Sequence, residues 1–195
     1  IPPIYGLIIG IDPGTMTSPT GYSVLNFKDD NTFHYITSGI LSVHAKCLTS
    51  NIYQTLKALD AVISCYKPAA LIIEEPRMLG KANINMLKFL GSLEYFLFSK
   101  YPEKLKHFIH PLTLKSALTH LSVGKKDFRT DKSDILLAVS RILKINGKEA
   151  FSIKNEVCYD MSDAAAAVLA FAIKNNWIQY EKQNTSMYPE IDIDE

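Results

Sequence analysis

The chain has 195 residues, enough for one domain of ordinary size and too few for two. Apolar residues make up 47% and charged residues 21%, with nine glycines and nine prolines, which excludes a disordered or fibrous chain and predicts a soluble domain with a real core. The net charge of +1 averages two regions: Glu181 to Glu195 holds five acids and one Lys, so residues 1–180 carry 20 basic against 15 acidic groups.

The basic excess is densest from Lys100 to Lys132, where eight Lys/Arg face three acids. That distribution suits a polyanion such as nucleic acid, although a solvated lysine-rich face has the same composition. No stretch approaches the roughly 18 apolar residues of a membrane span, and the N-terminus lacks the pattern of a secretory signal, so no membrane association is expected. Cys47, Cys65 and Cys158 are odd in number and without C-x-x-C spacing, which argues against a disulfide framework or a zinc site and for a reducing, intracellular compartment.

In chain order, Tyr5 to Asp12 is a short apolar run closed by Asp-Pro-Gly, a strand that ends in a carboxylate and a sharp turn. Gly21 to Phe27 and Phe33 to Leu41 are β-rich runs around Lys28-Asp-Asp-Asn31, and with the first strand they read as an antiparallel meander. Leu48 to Tyr66 has helical periodicity and stops at Lys67-Pro68. Ala69 to Ile73 is apolar at every position, as expected of a central strand with a parallel neighbour and helices on both faces, and it runs into Glu74.

Ile84 to Phe98 is a helix with more apolar surface than one sheet face requires. If Leu90, Leu93 and Leu97 face the sheet, Met86, Phe89 and Phe96 remain for a partner. Lys106 to His110 is a short strand, and Pro111 suits the first turn of a helix running to Leu121. Gly124 to Thr130 is a basic loop, Asp131 to Leu143 a helix, and Asp160 to Tyr180 a last apolar helix whose Ala164 to Ala167 run permits close backbone approach. The segment from Gln183 onward reads as a tail, so the expected organisation is one domain over 1–180 and an acidic tail over 181–195.

Four carboxylates stand at element ends: Asp12, Glu74, Asp160 and Asp163. Each has an ordinary explanation, as a turn residue, a strand end, a helix N-cap or first-turn charge. Together they suggest more. If the first and fourth strands are adjacent, Asp12 and Glu74 lie side by side, while Asp160 and Asp163, three apart, share a helix face. Such a cluster calls for cations, and oxygen-only ligation suits Mg²⁺ or Mn²⁺. Two ions about 4 Å apart can clamp the attacking and leaving oxygens of a phosphodiester displacement.

Ile-Gly-Ile-Asp12-Pro-Gly-Thr with Thr20-Gly-Tyr22, then Ile-Ile-Glu74, then Asp160-Met-Ser-Asp163-Ala-Ala-Ala-Ala resemble the RuvC family of Holliday-junction resolvases, within the RNase H-like superfamily. The resemblance runs in register from about Leu7 to Lys174. It implies an α/β RNase H-like fold with a mixed sheet, three antiparallel strands followed by parallel ones. It also implies a homodimer paired through the helix Asn83 to Lys100, and paired Mg²⁺-dependent nicking of four-way DNA junctions with 5′-phosphate ends.

The family's catalytic carboxylates map onto Asp12, Glu74, Asp160 and Asp163; Glu75 falls on a Gln-type position. Lys115 and Lys132 match family basic positions, Lys132 near the cleavage site, and either could serve the transition state or merely hold backbone phosphate. Arg77 stands where bacterial members carry a base-stacking aromatic. With Lys81, Lys125, Lys126 and Arg129, it completes the expected DNA-binding set. The Asn- and Lys-rich composition and the acidic tail point to a divergent, non-bacterial branch; a helicase partner is left open.

Two rival readings follow from the same residues. Ile-Gly-Ile-Asp-Pro-Gly-Thr also resembles the first phosphate loop of actin-like and sugar-kinase ATPases, but those duplicate the fold and need a second Asp-Gly-rich loop that this chain lacks. A relative acting on another branched DNA or RNA, or one that only binds junctions, is the other.

Overall fold

The computed structural model describes residues 1–14, 19–41, 47–75, 84–119 and 132–180. Arg77, Lys81, Lys125, Lys126, Arg129, the basic loop and the acidic tail lie outside them.

Strands β1 (Gly6–Asp12), β2 (Thr20–Phe27) and β3 (Phe33–Leu41) form the expected meander, followed by helix α1 (Leu48–Tyr66) and strand β4 (Ala70–Glu74). Helix α2 (Ile84–Lys100), strand β5 (Leu105–Ile109), and helices α3 (Pro111–Leu118) and α4 (Lys132–Leu143) come next. The sheet order is β3-β2-β1-β4-β5, with β1 antiparallel to β2 and parallel to β4, and β4 parallel to β5. This is the mixed sheet read from the sequence. Strand β1 is the central strand and β4 an interior one beside it, with Ala70, Leu71, Ile72 and Ile73 fully buried and Ala69, the first residue of the apolar run, exposed just before the strand.

Strand alternation separates two cores. Ile8, Leu25, Ala70 and Ile72 face α3, α4 and α6 (Tyr159–Lys174). Ile9, Ile11, Val24, Leu71 and Ile73 face α1 and α2. Helices therefore cover both faces, and α6 is buried on nearly every side, as its alanines allow. A Cβ at Gly10 of β1 would lie 1.9 Å from the carbonyl oxygen of Ala164, so α6 rests directly on sheet backbone.

The ends of several helices differ from the sequence reading. Helix α3 stops at Leu118, where extended Thr119 caps it, three residues before the expected Leu121. Its start is as expected: Pro111 opens the helix and the His110 imidazole accepts from the Leu112 N–H. Helix α6 stops at Lys174 rather than Tyr180. Asn176 takes a left-handed φ of 56°, the Trp177 N–H returns to the Ala172 carbonyl, and the indole packs on Phe27 and Phe171.

Between α4 and α6 lie a four-residue helix α5 (Gly147–Ala150) and a hairpin of β6 (Ser152–Ile153) and β7 (Glu156–Val157), none of them expected from the sequence. Its turn residues Lys154 and Asn155 both have positive φ, the geometry of a tight two-residue turn.

The apolar excess of α2 is real, but the sequence reading assigned its faces wrongly. Phe89, Leu93 and Leu97 are the buried positions, spaced four apart on one stripe. Phe89 thus belongs to the core rather than to an outer face, because its neighbours one turn on are themselves the sheet-facing residues. The solvent side carries Ile84, Leu87, Gly91, Tyr95 and Phe98, with Ile84, Tyr95 and Phe98 64%, 77% and 57% exposed.

Candidate active site

The parallel register of β1 with β4 pairs Ile11 with Ile73, so the next residues, Asp12 and Glu74, stand side by side at the carboxyl ends of two neighbouring interior strands. The turn after Asp12 is closed by the Gly14 N–H donating to the Thr20 hydroxyl at 3.1 Å. Helix α6 begins beside them. Cys158 occupies the N-cap position without a side-chain cap, which leaves Asp160 and Asp163 inside the first turns and free to point at Asp12 rather than at their own backbone.

Asp12, Asp160 and Asp163 each offer a carboxylate oxygen, and these three oxygens lie within 4.8 Å of one another. Glu74 lines the same cleft with Asp12, Asp163, Lys115 and Lys132. Lys132, the first residue of α4, reaches in: its Nζ is 3.4 Å from Asp160 and 3.5 Å from Asp163. The structure thus brings together all four sequence-predicted carboxylates and both lysines that it describes. Pro111, Leu114 and Ile135 form an apolar wall that the sequence reading did not single out. Their i, i+3 placement on α3 and the buried stripe of α4 were its only signal.

The electrostatics follow from burial first and from crowding second. Burial holds the Asp12 carboxyl well above the usual carboxylate range, and Glu74, Asp163 and Asp160 add to the rise while Lys132 opposes it. Burial also lifts Asp163 to about 6 against the pull of Lys132. For Lys132, burial alone would lower the ammonium, but Asp163, Asp160 and Asp12 outweigh it and the net shift is upward. A site that raises carboxyls and strengthens an ammonium is a field of excess negative charge, best relieved by a cation. Its donors are all hard oxygens, the set that suits Mg²⁺ or Mn²⁺.

A sequence profile of the family described as "Crossover junction endodeoxyribonuclease RuvC" matches residues 8–173 of this chain. The chain belongs to the RuvC family. A relative of that description from Helicobacter pylori (strain G27) is 29% identical over 169 residues, covering 85% of this chain and 95% of the relative. Among solved structures, Thermus thermophilus RuvC in complex with its Holliday junction substrate aligns with a TM-score of 0.65 at 17% identity, over 88% of this chain and 96% of that one. The yeast mitochondrial Holliday junction resolvase Ydc2 aligns with a TM-score of 0.61 at 13% identity, over 90% and 80%. These likenesses bear out the RNase H-like fold, and membership in RuvC makes the chain a metal-dependent DNA endonuclease rather than an ATPase.

Proposed function

We propose that this protein resolves four-way DNA junctions by paired, symmetric nicking and leaves 5′-phosphate ends. The observation that carries the reading is the convergence of Asp12, Asp160 and Asp163 with Glu74 and Lys132 in one cleft of a RuvC-family chain. Asp12, Glu74, Asp160 and Asp163 would hold two Mg²⁺ or Mn²⁺ ions. Once bound, such a pair activates water and neutralises charge for an in-line displacement at phosphorus.

The chain's own residues do the rest. The Asp12 carboxyl, which burial and its acidic neighbours hold well above the usual range, would give up its proton where a cation is held, whereas Asp163, at about 6, is already largely ionised at neutral pH. Lys132, released from its carboxylates, donates to a non-bridging phosphate oxygen and steadies the charge that develops there. Lys115 holds backbone phosphate at the cleft wall. The apolar wall of Pro111, Leu114 and Ile135 keeps one side of the cleft free of competing polar groups. Arg77, Lys81, Lys125, Lys126 and Arg129 extend the basic surface in this reading, with residues 1–180 as the nuclease domain and 181–195 as an acidic tail.

One carboxylate cluster cuts one strand, so paired nicking calls for two copies about a two-fold axis. The proposed interface is the exposed α2 stripe of Ile84, Leu87, Gly91, Tyr95 and Phe98. Beside it is a shallow groove where Leu48 and Ile52 of α1 meet Leu87 and Tyr95. Contiguous exposed apolar surface of this kind marks an interaction face. Among the described residues no helix is long and apolar enough to cross a membrane, and the proposed setting is a reducing compartment inside the cell.

The test is incubation of the purified protein and Mg²⁺ with an end-labelled four-way junction and a matched linear duplex. Paired cuts at symmetric positions in the junction, with the duplex intact, support the reading. Equal cutting of both substrates, or cutting of an RNA-containing branch alone, would replace it.

A further inference from the structure

Strand β2 carries no bulky side chain where it meets the first turn of α6. Gly21 is the register partner of Asp12, and a Cβ at Gly21 would lie 2.2 Å from the carbonyl oxygen of Asp160 and 2.4 Å from its carbonyl carbon. Both obstacles are backbone, which cannot swing aside. Two residues on, fully buried Ser23 donates its hydroxyl to the Met161 carbonyl at 2.7 Å. Alternation puts Gly21 and Ser23 on the same sheet face. The helix that bears Asp160 and Asp163 is therefore pressed against β2 at one peptide and hydrogen-bonded to it at the next.

We propose that Gly21 and Ser23 are positioning residues that set the spacing of the carboxylate cluster by fixing the first turn of α6. The inference rests on the cation site proposed above. Ordinary contact begins at 3.4 Å, so a methyl at Gly21 has to push the Asp160 peptide back by more than 1 Å from its 2.2 Å position. Oxygen–Mg²⁺ bonds tolerate far less, since their lengths lie within about 0.1 Å of one another at roughly 2.0–2.1 Å. Gly10 differs in kind: its obstacle is Ala164, one turn further along α6, and its own register partner is Ser23 rather than Asp12.

Mn²⁺ titration of the full chain tests this without reference to cutting. Wild type, Gly21→Ala, Ser23→Ala, Gly39→Ala and Asp163→Asn are compared at a temperature where circular dichroism shows each folded. Gly39→Ala is the control, because the nearest atoms to its added methyl all belong to the ring end of Tyr22, a side chain, with the hydroxyl at 2.8 Å. Gly21→Ala and Ser23→Ala should each weaken Mn²⁺ binding by about tenfold or more, in line with other substitutions behind a metal ligand. Gly39→Ala should leave the affinity unchanged even where it lowers the melting temperature.

Wild-type affinity in both Gly21→Ala and Ser23→Ala, with Asp163→Asn still impaired, overturns the positioning role and leaves the cation site standing. Should Gly21→Ala fail to fold, Ser23→Ala decides alone. Equal loss in Gly39→Ala also overturns it, since general loosening would then suffice. Wild type and Asp163→Asn binding Mn²⁺ equally would remove the site and the inference together.

Discussion

Replacing Asp163 with Asn should make the metal-free protein more stable while destroying its proposed activity. The carboxyl is lifted from its ordinary 3.8 to about 6 in the fold, chiefly by burial. A raised folded-state value means that the native protein binds the proton more tightly than the unfolded chain does. The associated stability is fully present below about pH 3.8 and is lost as pH rises through about 6. At about 1.4 kcal/mol per pH unit, that gap amounts to about 3 kcal/mol above pH 6. The pull of Lys132 is already contained in the net shift.

Asn imitates the protonated carboxyl, so the variant avoids the loss. At pH 7.5 in EDTA its melting temperature should exceed that of wild type by roughly 10 °C, given about 2–4 °C per kcal/mol for a chain of this size. The gap should close toward pH 4. Added Mg²⁺ should reverse the order, because binding stabilises only the protein that retains the site. Thermal melts from pH 4 to 8, with EDTA or Mg²⁺, measure all three. A variant no more stable than wild type at pH 7.5 in EDTA, or a gap independent of pH, would refute the electrostatic account of the cluster.

Asp12→Asn, Glu74→Gln and Asp160→Asn should each abolish junction cutting in a Mg²⁺ assay yet retain junction binding in a gel-shift assay; near-normal turnover in two of them would remove the metal-site assignment. Lys132→Gln should lower the single-turnover cutting rate by about a hundredfold, the scale of one lost transition-state hydrogen bond, with little change in junction affinity. Ala at Lys125, Lys126 and Arg129 should flatten the log–log salt dependence of junction binding by about one per lost phosphate contact, read by anisotropy titration. Tyr95→Asp with Phe98→Asp should give a folded monomer by light scattering. Phe89→Asp, by contrast, should unfold the domain outright, because it places a charge in the core at a cost above about 4 kcal/mol.

What could be read from the sequence was whatever local pattern determines. Helix α1 has the bounds that its periodicity and Lys67-Pro68 prescribe, and β4 announced its interior place by being apolar on both faces. The adjacency of Asp12 and Glu74 was conditional on the first and fourth strands being neighbours, a condition that the parallel register of β1 and β4 meets. The outward face of α2 was not legible in the same way. A helix apolar on most of its circumference has no periodic minimum, so choosing Leu90 over Phe89 as the sheet-facing residue had no basis in spacing. The end of α6 was also hidden, since the break at Asn176 depends on the Trp177 indole finding Phe27 across the fold. The α5 and β6–β7 insert is built from segments too short to show a period at all.

The chemistry sits where the scaffold is stiffest. Four carboxylates in one cleft are costly to any fold, and here they are carried by the elements least able to yield. Strands β1 and β4 are both interior strands of the sheet, hydrogen-bonded on either side, and α6 is packed against sheet backbone at Gly10 along a run of fully buried alanines. Repulsion among Asp12, Asp160 and Asp163 therefore cannot relax by spreading the elements apart. Burial, with repulsion added to it, appears instead as raised proton affinity at Asp12 and Asp163 and as recruitment of Lys132, the compensations that a divalent cation would displace. A looser scaffold would let the acids separate and would forfeit the site; rigidity behind the cluster is what turns an electrostatic liability into affinity for metal.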